Sequence, residues 1–147
     1  MADRIRAVAV CVFRHEDRVL VADACDSVTG QRFMRPLGGE IEFGERAVEA
    51  LAREIREEIH AEIEHTILLG VLENMFVYEG VPGHQIVLVF DDRFVDPSFY
   101  ERDRIPIAED IWVGPARWLT LPALRSENLP LYPQGLLELL TSRPKRS

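Results

Sequence analysis

The segment GGEIEFGERAVEALAREIREEIHA, residues 38–61, carries the clearest structural pattern in the sequence. From Glu45 onward, apolar residues recur at positions 47, 48, 51, 55 and 59, which predicts an amphipathic helix after a glycine-containing loop. On this helix, Glu54, Glu57 and Glu58 are i, i+3 and i+4 neighbours. Like charges at this spacing destabilise a helix. The strip formed by these three glutamates is therefore either a solvated helix face or a binding site for a cation.

A divalent cation would suit this strip. Mg²⁺ and Mn²⁺ prefer oxygen ligands such as carboxylates. Gly38 and Gly39 let the backbone approach a ligand closely, and their carbonyl oxygens can join a metal shell. Arg53 lies four residues before Glu57 and eight after Glu45, so it can pair with these carboxylates and hold one in position.

A charged helix face in water would explain REIREE, residues 53–58, by itself. The complete spacing is more demanding, because Gly39, Glu45 and the Arg53-Glu54 pair stand at fixed separations from the last two glutamates. A chance match to that whole pattern is rare in a chain of this length. The pattern therefore favours a cation site.

The composition limits the classes of partner. The chain has 17 basic and 25 acidic residues, and its net charge of −8 repels a nucleic-acid backbone. We therefore expect no nucleic-acid polymer as partner, while a small anionic substrate is compatible if a metal neutralises its charge. The length of 147 residues predicts a single domain, 1–147.

The two cysteines and the apolar runs bear on the cellular compartment. Cys11 and Cys25 lack the number and spacing of a disulfide framework or a zinc site, which predicts reduced thiols. No stretch approaches the ~20 apolar residues of a membrane span. Residues 1–6 lack the apolar segment of a signal peptide. We expect a cytoplasmic protein without a membrane partner.

Strand patterns flank the helix on both sides. The predicted elements are a hairpin of strands 6–13 and 18–23, a pair of strands 66–78 and 84–95 around a turn at 79–83, a long connection 96–110, a short strand 111–121 and a closing helix 133–142. This mixture predicts a mixed sheet covered on its faces by helices.

Residues 39–61 resemble the Nudix box, the loop-helix signature of the Nudix (MutT-like) hydrolases, and Gly38 and residues 42–44 are typical of its surroundings. The resemblance extends over the whole domain and implies an α/β fold, the Nudix-type α/β/α sandwich with a mixed sheet between helices. It also implies metal-dependent cleavage of the pyrophosphate linkage of a nucleoside diphosphate derivative, which is a nucleoside triphosphate or a nucleotide conjugate. Mg²⁺ or Mn²⁺ would be the cofactor, and homodimers are common among such proteins.

The resemblance also implies residue roles. The metal ligands would be Gly38, through its carbonyl, and Glu54, Glu57 and Glu58. The catalytic residues would be Arg53, Glu54 and Glu57, and the orienting residues Gly39 and Glu45. The general base is left open between Glu54 or Glu57 in the box and a glutamate of the long connection, Glu101 or Glu109.

His60 departs from the family pattern, which has glycine at this position. A glycine there serves a left-handed backbone conformation at the helix end, and histidine is among the residues that adopt it at some cost. We expect His60 to be a tolerated cap that leaves the geometry of the following loop open.

Aromatic side chains near the predicted sheet ends could stack on a nucleobase. The candidates are Phe33, Phe76, Tyr78, Phe94 and Trp118, with Phe33 and Tyr78 preferred as substrate-binding residues. The sequence does not choose the nucleotide. Two alternatives remain: a catalytically silent Nudix-fold sensor that binds a nucleotide, for which loss of a box glutamate would be expected, and an interaction protein with a merely solvated acidic helix.

Overall fold

The computed structural model describes residues 4–108, 114–126 and 129–142. Its strands are β1 Ile5–Cys11, β2 Arg14–His15, β3 Arg18–Cys25, β4 Arg32–Arg35, β5 Leu37–Glu40, β6 Ile63–Tyr78, β7 Val81–Phe94, β8 Arg104–Ile105 and β9 Ala116–Thr120. Its helices are α1 Ala47–Ile59, α2 Leu121–Ser126, α3 Leu136–Thr141 and a 3₁₀-helix Pro97–Glu101.

Two sheets organise these strands. The first has the order β5-β1-β7-β6, with β1 parallel to β7 and the other neighbours antiparallel. The second has the order β2-β3-β9-β8, with β4 paired to β3. The first sheet is therefore mixed, as the sequence predicts.

Strand β1 is buried on both faces because its side chains alternate between two apolar clusters. One cluster contains the odd-numbered residues Ala9 and Cys11 and the α1 residues Leu51, Ile55 and Ile59. The other contains the even-numbered Val8 and Val10 and the α3 residues Leu136 and Leu140. Complete burial of a side chain such as Leu51 contributes roughly 2 kcal/mol. Helices thus cover the sheet on both faces, and the predicted α/β/α layering is confirmed.

Several element bounds differ from the sequence predictions. Strands β4 and β5 were not predicted, since each has only four residues and the pairing with β3 and β1 forms them. The predicted turn 79–83 shortens to Glu79 and Gly80, whose φ angles of 55° and 78° are those of a tight hairpin. Helix α2 was also not predicted. Part of the predicted strand 111–121 lies outside the described residues, and β9 begins at Ala116.

Both cysteines are free thiols, as the sequence predicts. Cys11 is buried and Cys25 is half-buried. Of the helices in the described ranges, none combines the length and the apolar character needed to cross a bilayer.

Helix α1 begins and ends with specific contacts. At its start, the Glu49 carboxylate accepts a hydrogen bond from the Arg46 backbone N–H at 2.7 Å. At its end, His60 adopts the left-handed conformation, with φ 57° and ψ 37°, and its N–H donates to the Arg56 carbonyl. The expected left-handed cap at His60 is confirmed.

The cap gives a stability prediction. A left-handed conformation costs a residue with a Cβ atom on the order of 1 kcal/mol, and glycine avoids this cost. We therefore expect His60→Gly to raise the free energy of unfolding by about 1 kcal/mol, measured by urea denaturation. His60→Ala is the matched control, since alanine retains the strain and should give no gain. Equal stability of the two variants would contradict this explanation of the cap.

Candidate active site around Arg53

The guanidinium of Arg53 lies at the centre of the glutamate strip. It binds Glu45 with two hydrogen bonds, Nε to Oε2 at 2.7 Å and Nη2 to Oε1 at 2.9 Å. Its Nη1 atom donates to Glu54 Oε1 at 3.0 Å and lies 3.4 Å from Glu57 Oε2. Nη2 also donates to the Glu40 carbonyl at 3.1 Å. The Arg53 guanidinium therefore connects the glycine-containing loop to helix α1.

The pairing of Arg53 with Glu45 shifts the pKa values of both residues. Hydrogen bonds from the Arg53 guanidinium lower the pKa of Glu45 from 4.5 to about 2. The same hydrogen bonds raise the pKa of Arg53 above its usual range. Glu45 therefore stays ionised, and continues to hold Arg53, at more acidic pH than an ordinary glutamate does.

Glu58 lies on the inner side of α1 and is almost completely buried. Its Oε1 atom accepts a hydrogen bond from the Gly38 N–H at 3.0 Å, which fixes β5 against the helix. Gly38 has φ 144°, and a Cβ atom there would lie 2.1 Å from the Ala9 carbonyl oxygen. Only glycine allows this approach of β5 to β1.

Gly39 makes room for the Glu54 carboxylate. A Cβ atom at Gly39 would lie 2.4 to 2.6 Å from the carboxylate atoms of Glu54. Glu54 is thereby seated directly over the backbone of β5, with 14% of its side chain exposed. The double glycine therefore serves two different contacts, one with Glu58 and one with Glu54.

The three glutamates of the strip occupy three environments. Glu54 is mostly buried beside Arg53, Glu57 has 52% of its side chain exposed, and Glu58 is buried at Gly38. Within the described residues, no group of three or more histidine, cysteine, aspartate or glutamate side chains is arranged to hold a metal ion. Glu54 and Glu57 both approach Arg53 Nη1, whereas Glu58 binds the Gly38 N–H, so the three carboxylates do not share one partner in this conformation.

The donor chemistry nevertheless fits a hard cation. Glu54 and Glu57 offer carboxylate oxygens on the same helix, three residues apart. The absence of a Cβ atom at Gly39 lets the Glu54 carboxylate lie against the β5 backbone, whose carbonyl groups are further oxygen donors.

A cavity of about 740 Å³ opens beside Gly38, Gly39 and Glu54, within the size range of small-molecule sites. Its other end contains the aromatic rings of Phe33 and Tyr78. These two rings meet edge to face with centroids 6.0 Å apart. The structure thus places the preferred aromatic candidates and Glu54 on the walls of one cavity.

The remaining aromatic candidates divide between this cavity and the core. Phe76 lines the cavity, and its ring lies against Gly83, where a Cβ atom would be 2.4 Å away. Phe94 and Trp118 are buried in the core instead. The Phe94 ring stacks on Phe99, and the Trp118 indole donates to the Phe99 carbonyl, so neither is available to a ligand.

The long connection reaches α1 near the buried glutamate. The Ala108 N–H donates to the Glu58 carbonyl at 2.8 Å. Glu101 is exposed at the end of the 3₁₀-helix. Glu109 lies outside the described residues.

Sequence reasoning missed several cavity residues, namely Arg6, Arg35, Asn74, Gln85 and Tyr132. Asn74 and Gln85 each stand beside another polar residue of the same strand, Glu73 and His84, so the sequence does not single them out. Arg6, Arg35 and Tyr132 carry no local signal, because pairing of distant segments brings them to the cavity.

A family model described as the NUDIX domain matches residues 3–139. The fold is similar to a crystal structure of a MutT NUDIX hydrolase from Burkholderia pseudomallei, with a TM-score of 0.65, 19% identity, and coverage of 96% of this chain and 100% of that one. A NUDIX hydrolase from Nitrosomonas europaea gives a TM-score of 0.66 at 16% identity, covering 94% and 87%. A MutT protein from Bacillus halodurans gives 0.60 at 18% identity, covering 92% and 80%.

The pairing of Glu45 with Arg53 gives a pH prediction. Because the folded state lowers the pKa of Glu45 from 4.5 to about 2, this pair stabilises the fold above about pH 4.5 and loses its effect as pH falls towards 2. Glu45→Gln should therefore destabilise the protein at pH 7 and converge on the wild type near pH 2, as measured by urea denaturation across this range. Glu73→Gln, at an exposed carboxylate of β6, controls for loss of a negative charge. A deficit in Glu45→Gln that is the same at every pH would refute the assignment.

Proposed function

Because the chain belongs to the NUDIX family, we propose that it is a metal-dependent hydrolase that cleaves the pyrophosphate linkage of a nucleoside diphosphate derivative. The substrate is a nucleoside triphosphate or a nucleotide conjugate. Nudix hydrolases in general cleave pyrophosphate linkages and act on small nucleotides. The observation that carries the proposal is the single cavity that joins the glycine and Glu54 end to the Phe33 and Tyr78 end.

Nudix hydrolases generally use divalent metals. In this chain, Glu54, Glu57 and Glu58, with the Gly38 carbonyl, would hold Mg²⁺ or Mn²⁺. When bound, such an ion neutralises phosphate oxygens and lowers the pKa of a coordinated water. Binding would require Glu54 and Glu57 to share their oxygens between Arg53 and the ion.

Arg53 acts as the positioning residue of the site. Its guanidinium stabilises negative charge on Glu54 and Glu57 while the two hydrogen bonds with Glu45 fix its plane. This contact fixes the position of the carboxylates, and a general base must lie within hydrogen-bond reach of the attacking water. Glu54 is the favoured general base because its carboxylate lines the cavity, and Glu57 is the alternative within the helix.

The two ends of the cavity suit the two parts of a nucleotide. The pyrophosphate would lie at the Gly38 and Glu54 end, and the base would stack at Phe33 and Tyr78. We also propose that residues 1–147 act as one domain, since both apolar clusters share strand β1.

Hydrolysis of a substrate panel tests this proposal. The release of phosphate, pyrophosphate and nucleoside monophosphate is measured for nucleoside triphosphates and nucleotide conjugates with Mg²⁺, with Mn²⁺ and with EDTA. We expect metal-dependent turnover that falls roughly 100-fold in Glu57→Gln, because a carboxylate that would hold the metal is lost. Glu73→Gln should retain full activity.

The same samples distinguish the alternatives. A metal-induced rise in melting temperature without turnover of any panel member would favour the silent nucleotide-binding sensor. No effect of metal on activity or on melting temperature would return the glutamate strip to a solvated helix face.

A further inference from the structure

Three polar side chains form a row across the cavity floor. In the sheet register, Arg6 of β1 is opposite Gln85 of β7, and Gln85 is opposite Asn74 of β6. All three line the cavity. The adjacent row across the same strands, Val8 and Val87 followed by Leu72, is apolar. The polar row is therefore a local feature of this floor.

The row lies beside the aromatic end of the cavity. Asn74, Phe76 and Tyr78 follow one another at every second residue of β6, so their side chains share one face of the strand. All three line the cavity. Asn74 and Tyr78 lie about 13 Å apart along the strand with Phe76 between them, so a purine stacked at these rings would extend from Tyr78 towards the polar row.

A fixed donor sets the orientation of the Asn74 amide. The Gln134 backbone N–H donates to Asn74 Oδ1 at 3.3 Å, and a backbone N–H cannot act as an acceptor. Asn74 Nδ2 in turn donates to Gln85 Oε1 at 3.4 Å. Reversal of either amide would place two donors against each other at a buried side chain, since Asn74 is 6% exposed.

These two hydrogen bonds determine which polar groups the row of Arg6, Gln85 and Asn74 offers to a ligand. Since Gln85 lines the cavity and its oxygen accepts from Asn74, its Nε2 amide, a donor, is the group that it can offer to a ligand. Arg6, at the other end of the row, carries a guanidinium that only donates, and its Nη1 atom lies 3.7 Å from Glu40 Oε2. The floor therefore presents hydrogen-bond donors.

We propose that Gln85, oriented by Asn74, determines base specificity by selecting a nucleobase that presents a carbonyl oxygen over one that presents an amino group. For purines, this means a 6-oxopurine over a 6-aminopurine. A carbonyl accepts the Nε2 hydrogen bond, whereas an amino group would place donor against donor and leave both unsatisfied. The inference rests on the proposed nucleotide substrate and refines it.

Inosine and adenosine triphosphates test the proposal, because they differ at purine position 6 in the required way. We expect kcat/KM for ITP to exceed that for ATP by on the order of tenfold or more. Equilibrium binding of both nucleotides, measured in EDTA, should give a preference of the same sign. Equal values for the two nucleotides in wild type would overturn the proposal.

Two variants replace the hydrogen-bond donor that Gln85 offers to the cavity with an acceptor, without changing side-chain size. In Gln85→Glu, one carboxylate oxygen accepts from Asn74 and the other faces the cavity as an acceptor. In Asn74→Asp, the carboxylate accepts from both Gln134 N–H and Gln85 Nε2, which turns Gln85 Oε1 to the cavity. Both should lower the ITP to ATP ratio about tenfold or invert it.

Gln31→Glu is the matched control, since Gln31 lines the cavity outside the row and the change adds the same charge. Its ratio should equal that of wild type, and a change as large as in Gln85→Glu would show an effect of charge alone and overturn the proposal. Circular dichroism establishes that each variant folds. Turnover without base preference would support the proposed hydrolase and overturn the proposed role of Gln85. Selective binding without turnover would support the role of Gln85 and count against the hydrolase. Absence of both binding and turnover would count against both proposals.

Discussion

The guanidinium of Arg53 is the contact on which the rest of the site depends. It binds the loop through Glu45 and the Glu40 carbonyl, and it binds the helix through Glu54 and Glu57. Without a cation at this point, the loop and the exposed side of α1 would bring several carboxylates together with no compensating charge. Charge-assisted hydrogen bonds with two-point geometry stabilise the arrangement more than an isolated surface ion pair does.

The sheet explains why the loop lies where Arg53 can reach it. Strand β5 pairs with β1 at Gly38 and Gly39, and β1 is fixed by apolar contacts on both faces. A side chain at Gly38 would collide with β1, and a side chain at Gly39 would displace Glu54. The other strands of the same sheet, β7 and β6, carry the cavity floor. One sheet thus sets the spacing between the glutamate end and the aromatic end.

Features that depend on local spacing could be predicted from the sequence. Helix α1, its left-handed end at His60 and the pairing of Arg53 with Glu45 follow from residue separations within one helix and its loop. The separate environments of Glu54, Glu57 and Glu58 could not be predicted, because spacing along a helix does not say which residue is covered by β5. The same reason applies to Phe94 and Trp118, which sequence alone could not separate from Phe33 and Tyr78. The row of Arg6, Gln85 and Asn74 depends on the register within the β6–β7 hairpin and on the pairing of β7 with the distant strand β1.

The most direct measurement of the central claim is the metal-dependent kcat of Arg53→Lys on the best substrate of the wild-type enzyme, with the melting temperature measured in parallel. Lysine retains the positive charge but cannot bind Glu45 with two parallel hydrogen bonds while contacting Glu54 and Glu57. If Arg53 positions the carboxylates, kcat should fall by roughly 100-fold in a protein that still unfolds cooperatively. A kcat within twofold of wild type would show that charge alone suffices and would contradict the account.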